Sequence, residues 1–303
     1  MTYGHTSFHP FRQLPGRIAW LVLALLVAAP LAQAASRAEI RKQIESSMLV
    51  RGQLDIDRSG NVTAVSIDPA NKLPGGIATF VHDAIMAWKF EPVMRNGEPV
   101  PARAPVTVRL VAKKQDQDNY EVAIRNADFS GDGHDKSGRS VSSRKMTPPR
   151  YPEAAYKSGI AGDVYLLLKI GRQGQVEDVV AEQVNLRVLG NEAEMRRARQ
   201  LLANASLDAA RGWQLVPPTQ GAGVDAPFWS VRVPVSFRLN SDSRTGNESG
   251  VWEAYIPGPR TPAPWRGKGK EADFSPDALG GEGGIYMADR SDLPQLRTPL
   301  QGG

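Results

Sequence analysis

Apolar residues recur at every second position in several stretches of this chain, and each stretch predicts a strand with one buried face. Val164, Leu166, Leu168 and Ile170 alternate, a turn follows at Arg172-Gln173-Gly174-Gln175, and apolar positions resume at Val176 and Val179. Gly174 supplies the positive φ that a tight hairpin needs. Ahead of this hairpin, Tyr151-Pro152-Glu153-Ala154-Ala155 predicts a short helix, because proline suits a first helical turn. After it, a helical stretch over 192–211 leads into Trp213-Gln214-Leu215-Val216-Pro217. Asn204 and Ser206 interrupt that stretch, so it reads as one helix or as two pieces. Alternation returns at Val231, Val233, Val235, Phe237 and Leu239. Residues 148–240 therefore predict helix, hairpin, helix and strand, with Trp213, Leu215 and Phe237 as apolar anchors.

The same pattern occurs earlier in the chain. Ile56-x-x-x-Gly60-x-Val62-x-x-Val65 repeats Ile170-x-x-x-Gly174-x-Val176-x-x-Val179, and Trp88-Lys89-Phe90-Glu91-Pro92 repeats Trp213-Gln214-Leu215-Val216-Pro217. From each tryptophan the last strand begins after the same interval, at Val106 and at Val231. Ser36–Met48 reads as a helix with Ala38, Ile40 and Ile44 on one side. A second helix starts at Pro74 and lines Ile77, Phe80, Val81, Ala84, Ile85 and Trp88 along one face. An internal repeat outranks any single motif as a sign of architecture. It predicts an α+β protein with two small domains in tandem, 36–112 and 148–240. The competing reading of 36–112 is an unrelated small α+β domain that shares the spacing by chance.

Between the copies, 113–147 is polar and reads as a linker, with Val122, Ile124 and Phe129 as candidates for one short strand. The Gly/Pro-rich tail, 241–303, reads as largely extended or disordered. It nevertheless carries Trp252, Tyr255, Trp265, Phe274 and Tyr286, so 251–265 is expected to dock as a strap on the second domain.

Residues 1–35 carry Arg12 and Arg17, the apolar run Leu21–Val27 and an Ala32-Gln33-Ala34 cleavage pattern, which predicts a signal peptide. The competing reading is a retained anchor, since a span needs ~20 apolar residues. Either way, the rest of the chain is exported.

Composition excludes more chemistry than it suggests. With no cysteine among 303 residues, disulfides, thiol catalysis and Cys-based metal sites are ruled out. Lys+Arg 37 against Asp+Glu 32 leaves a net charge of +5, too mild for a nucleic-acid footprint. His82 and His134 lie far apart, and no His/Asp/Glu cluster has metal-ligand spacing. Asp128-Phe129-Ser130-Gly131-Asp132-Gly133 and Asp55-x-Asp57-x-Ser59-Gly60 imitate calcium loops. Their twelfth positions are Arg139 and Ser66, so the bidentate acid is missing from both. No G-x-S-x-G elbow or phosphate loop occurs. No catalytic residue, metal or cofactor is expected.

In order, Tyr151-Pro152-x-x-Ala155, Gly159-x-x-Gly162-x-Val164, Ile170-x-x-x-Gly174-x-Val176, Trp213-x-x-x-Pro217 and Val233-Pro234-Val235-x-Phe237-x-Leu239 resemble the C-terminal domain of the TonB family. Residues 36–112 then read as a divergent TonB-like copy lacking the Tyr-Pro element. The resemblance implies a non-catalytic domain that grips a short extended peptide, the TonB box, on the plug of an outer-membrane transporter. The grip is β-strand addition, with affinity from backbone hydrogen bonds. Carried over, the accepting strand is Trp229–Leu239. Tyr151 and Pro152 would sit at its entrance, and Ser230, Arg232, Ser236 and Arg238 are the outward partner-facing groups.

The implied function is a soluble periplasmic protein that binds a peptide or protein partner of the cell envelope, an outer-membrane transporter among the candidates. No nucleic acid is involved, and the membrane is contacted only if the leader is retained. The alternative is an inner-membrane-anchored energy transducer; the remote alternative is a periplasmic enzyme with an unrecognised site. Several features depart from a transducer. The leader's apolar run has no histidine, and no Glu-Pro/Lys-Pro repeat stiffens the linker. That linker reaches roughly 100 Å only when fully stretched. The chain also runs on well past its last strand.

Overall fold

The alternating stretches assemble into two antiparallel sheets of the same strand order. The computed structural model describes Met1 and residues 44–68, 72–114, 120–134, 137–221, 223–239, 249–267, 276–279, 283–289 and 293–300. Apart from Met1, the leader lies outside the described residues, as does most of the helix expected over Ser36–Met48.

In the first sheet, β1 (Glu45–Ile56) forms a hairpin with β2 (Val62–Asp68). Helix α1 (Ile77–Met86) follows, then the short pair β3 (Met94–Arg95) and β4 (Glu98–Pro99). β5 (Ala102–Lys114) pairs antiparallel with β1, and β6 (Tyr120–Asp128) lies outside β5. Met48, Val50, Leu54 and Ile56 point to the face covered by α1, where Val81 and Ile85 complete a core with Trp88, Phe90 and Val108. Glu45–Met48, the end of the expected helix, is therefore strand. Ser46, Ser47 and Met48 pair with Ala112, Val111 and Leu110 of β5, and this tertiary pairing overrides the weak helical period.

In the second sheet, β7 (Ser142–Lys145) and the short helix α2 (Glu153–Lys157) precede the hairpin of β8 (Gly162–Gly171) and β9 (Val176–Leu186). Helix α3 (Glu192–Ala210) crosses the sheet, β10 (Gln214–Val216) pairs with β7, and β11 (Phe228–Phe237) pairs with β8. α3 is continuous through Asn204 and Ser206. Asn191 and Glu194 form a reciprocal capping box at its start, and Met195, Ala198, Leu202, Ser206 and Ala210 make its buried stripe. Ser206 satisfies its hydroxyl by donating to the Leu202 carbonyl (2.9 Å).

Each hairpin is tied to the segment after its helix in the same way. Phe90 N–H donates to Gly60 O and Leu215 N–H to Gly174 O, both at 2.8 Å. Both glycines have positive φ, 86° and 82°. A Cβ would lie 2.1 Å from Phe90 O or 1.9 Å from Leu215 O, so the close approach demands glycine.

The stretch 113–147 is not a free linker over its described residues. β6 pairs with β5 from Thr107↔Asp128 to Lys114↔Tyr120, Ile124 and Phe129 enter the first core, and β7 joins β10. The tail is likewise placed in several described segments. β12 (Glu253–Tyr255) pairs with Glu45–Ser47 of β1, and Ile256 bridges to Leu186 of β9. A 3-10 turn follows at Pro276–Ala278, and β13 (Tyr286–Met287) pairs with β11. The strap expected over 251–265 docks on both sheets rather than on the second alone. Leu49, Val111, Tyr165, Leu167, Tyr255, Ala263, Ala278, Leu279 and Tyr286 are buried outside the two cores. Of these, Leu49 of the first sheet, Tyr165 of the second and Tyr255 of the tail line one shared pocket.

Candidate functional site

β11 is placed by two opposing demands. Val231, Val233, Val235 and Phe237 insert into the second core, while the backbone pairs with β8 from Phe228↔Gly171 to Phe237↔Gly162. Pro234 interrupts neither. Ala288 N–H donates to Ser230 O (2.8 Å) and Gly283 N–H to Pro234 O (3.2 Å), so the even-numbered backbone groups face away from β8. The N–H that proline lacks would belong to this outer edge and not to the central ladder. Ser236 is next on that edge by alternation. Past Arg232, no strand among the described residues pairs with the outer side of β11.

Beside this edge lies a groove of about 530 Å³, lined by Val141, Met146, Trp213, Val233, Val235 and Ile285 among others. Its apolar walls and adjacent strand edge suit an extended chain that offers backbone on one side and apolar side chains on another. Trp213 is held in place by Nε1–H donating to Thr147 O (2.8 Å). A roomier groove on the first sheet, about 730 Å³, is lined by Arg51, Arg95, Arg103 and Arg139 together with Asp68 and Asp132. Arg103 there is already committed to Asp55 through two hydrogen bonds of 2.6 and 2.8 Å.

The six residues expected to meet a partner fall into two groups. Tyr151 and Pro152 stand together at the end of β11. The Tyr151 ring packs edge-on against Phe237 (5.3 Å between centroids), its hydroxyl donates to Ile160 O, and Pro152 caps α2. Partial burial raises the Tyr151 phenol above its ordinary pKa.

The other four already have partners within the chain: residues of the tail reach Ser230 and the carboxylate that Arg232 binds, and Asp163 of β8 holds Ser236 and Arg238. Ser230 is buried and accepts from Trp265 Nε1–H (3.2 Å). Arg232 is buried and forks onto Glu182 at 2.7 and 3.0 Å, while Arg260 of the tail reaches the same carboxylate at 3.0 Å. Ser236 donates to Asp163 Oδ1 (2.7 Å), and Arg238 pairs with that same oxygen at 3.0 Å. Sequence reasoning missed the groove wall, Val141, Met146 and Ile285, which comes from segments read as linker and tail. The one available signal was Tyr286 within a glycine-rich run.

Where sheets and tail meet, charges are paired throughout. Arg187 joins Asp163 (2.9 Å) to Glu253 (2.6 Å), and Arg109 joins Glu45 (3.0 Å) to Asp277 (3.2 Å). Tyr255 donates to Asp277 (3.0 Å). No group of three or more His, Asp or Glu side chains that could hold a metal occurs among the described residues. Asp57, in one calcium-like stretch, instead accepts the turn N–H groups of Ser59 and Asn61.

Helix, hairpin, helix and strand, with an apolar groove beside the last strand, define a small α+β module. Residues 147–239 match the family described as Gram-negative bacterial TonB protein C-terminal, and this segment is a TonB C-terminal domain. Protein TonB of Xanthomonas campestris pv. campestris strain B100 is 36% identical over 100 residues, covering 33% of this chain and 39% of its own length. Protein TonB of strain ATCC 33913 of the same pathovar matches to the same extent. The chain thus spans about two fifths of the length of these curated relatives. No solved structure matches. Among the described residues, no helix is long and apolar enough to cross a membrane.

Proposed function

We propose that this chain is a non-catalytic protein of the cell envelope, working in the periplasm, that takes up an extended peptide or protein partner by strand addition along β11. The observation that carries the reading is the outer edge of β11 past Arg232, with the apolar groove alongside. The backbone of Ser236 and Arg238 supplies hydrogen bonds to the guest strand, and Tyr151 and Pro152 flank its end. Residues 45–114 are a divergent copy of the same module: hairpin, helix and returning strand recur in the same order, tied by the same glycine contact. The partner class is the TonB box of an outer-membrane transporter or a peptide like it.

The test is hydrogen exchange on the full chain, with and without synthetic peptides copied from TonB boxes. Protection at Ser236 and Arg238, with β2 unchanged, is the expected result. Protection elsewhere, or none at saturating peptide, would sink the reading.

The 36% identity to Protein TonB favours a second reading, an anchored energy transducer with the same docking edge. The N-terminal residue and membrane partitioning of the protein made in a Gram-negative host separate the two. A cleaved, freely soluble chain excludes the transducer, and a retained leader in the inner membrane supports it.

A further inference from the structure

β5 and β11 hold equivalent places in their sheets, and in both sheets another strand lies on the side away from the hairpin. In the first sheet it is β6, paired with β5 along its whole length and nearly continuous with it in sequence. In the second it is β13, which among the described residues pairs at Val231↔Met287 and Arg232↔Tyr286 and arrives from far along the tail.

The seat of this segment has the form of a peptide-binding site. Gly283 and Ala288 give their N–H groups to Pro234 and Ser230. Ile285 and Met287 pack toward the second core, while Tyr286 turns to the other face, is buried, and donates to Asp132 O (3.1 Å). On its far side Ile285 N–H donates to Gly133 O (2.9 Å). The groove takes in Gly283 and Ile285 and runs past Val233 and Val235 to Trp213.

We propose that Gly283–Ala288 is a resident pseudoligand. It occupies the β11 edge in the resting protein, and an incoming extended peptide with apolar residues at alternate positions enters the groove beside Val233–Val235 and displaces it. This rests on the strand-addition reading above. The occupant is inferred from the chain's own segment, which already sits there with that alternation. The guest that binds at Ser236 and Arg238 extends along β11 onto the backbone bonds at Pro234 and Ser230 that the resident holds, so exchange there swaps like for like, and the tether's effective concentration sets the threshold a guest must exceed. Apparent affinity falls by the fraction of molecules in which the edge is open.

The chain has no cysteine, so one engineered pair can close the edge without competition. Ser230 and Ala288 face each other across the pairing. Facing hydrogen-bonded residues lie about 5.5 Å apart at Cα, within the range a disulfide spans. The full-length Ser230→Cys/Ala288→Cys chain is assayed oxidised and reduced by fluorescence anisotropy, the reduced sample serving as its own folding control. The probes are a labelled Gly-Gly-Ile-Tyr-Met-Ala peptide and a labelled TonB-box peptide. The oxidised form should bind neither and the reduced form both. Ala288→Pro, which removes the N–H given to Ser230, should bind at least about tenfold more tightly than wild type.

Equal binding of the Gly-Gly-Ile-Tyr-Met-Ala peptide to oxidised and reduced forms would overturn the proposal. Equal binding of the TonB-box peptide to both forms would also overturn it, while leaving partner binding intact. If the chain's own peptide follows the lock and the TonB-box peptide never binds, the pseudoligand stands and the proposed partner falls.

Discussion

Glu182→Gln separates a partner-facing Arg232 from an internal strut. Glu182 is fully buried, and its carboxylate receives Arg232 through two hydrogen bonds of 2.7 and 3.0 Å. The Arg232 side chain is 5% exposed, whereas Arg260, the other cation on this carboxylate, is 34% exposed. The substitution keeps shape and removes charge, leaving the Arg232 guanidinium buried without its carboxylate. Breaking a buried pair from one side costs about 3–5 kcal/mol. At about 2–4 °C per kcal/mol for a chain of this size, that lowers Tm by about 6–20 °C. Arg260→Ala removes a partner that is a third wet, and such pairs contribute about 0–1 kcal/mol. Replacing both Glu182 and Arg232 with Met should recover most of the loss, because the buried guanidinium goes with its carboxylate and Arg260, which also loses Glu182, is a third exposed. The assay is thermal unfolding of the full chain by circular dichroism, with urea midpoints at unchanged slope as the second measure. A Glu182→Gln chain within about 1 kcal/mol of wild type would refute the strut and return Arg232 to the partner-facing surface.

Three further substitutions probe the frame around the edge. Gly174→Ala forces a Cβ against Leu215 O at φ 82° and should cost about 1–3 kcal/mol in urea unfolding; an unchanged midpoint would contradict the hairpin tie. Asn191→Ala removes the side chain that accepts Glu194 N–H (2.9 Å) and should cost about 1 kcal/mol, while Asn191→Asp retains the cap. Burial, then the nearby Asp163 and Asp277, push the Tyr165 phenol well above its ordinary value. The folded chain therefore holds this proton at pH values where the unfolded chain loses it. Its contribution to stability is complete below about pH 10 and is lost as pH rises beyond that. Tyr165→Phe should flatten the alkaline limb of Tm against pH, and an unchanged limb would count against it.

The core of each sheet was legible because its alternation faces one apolar layer: Val164, Leu166 and Leu168 point one way, toward α3. The Ile-x-x-x-Gly-x-Val turns and the tryptophan spacing were legible for a stricter reason, since each glycine meets a carbonyl and admits no side chain. β7 was invisible. Ser142-Ser143-Arg144-Lys145 has no apolar residue and is strand only because β10 offers it a backbone to pair with. β6 was half visible, because Asn126 and Asp128 on its other face are buried by packing that no periodicity encodes. For the same reason the burial of Ser230 and Arg232 was not legible. A Ser/Arg alternation looks like a wet face until a distant tail carrying Arg260 and Trp265 lies across it.

The two sheets also show why one edge is suited to exchange and the other is not. β6 leads directly into Phe129, whose ring packs edge-on against Phe90 (5.2 Å) and Trp88 (6.2 Å) beneath the first sheet. Peeling β6 from β5 would drag that aromatic cluster into water and open a ladder running from Thr107 to Lys114. Releasing β13 breaks a ladder of only two paired positions, and the guest that replaces it restores the backbone bonds at Ser230 and Pro234. The Tyr286–Asp132 bond, the Ile285–Gly133 bond and the Val141 N–H bond to Met287 Sδ (3.4 Å) belong to the resident segment's own seat and are at risk in the exchange. A guest that carries a tyrosine in the Tyr286 register recovers the first of these, which makes that register the position where partner sequences should differ most in affinity.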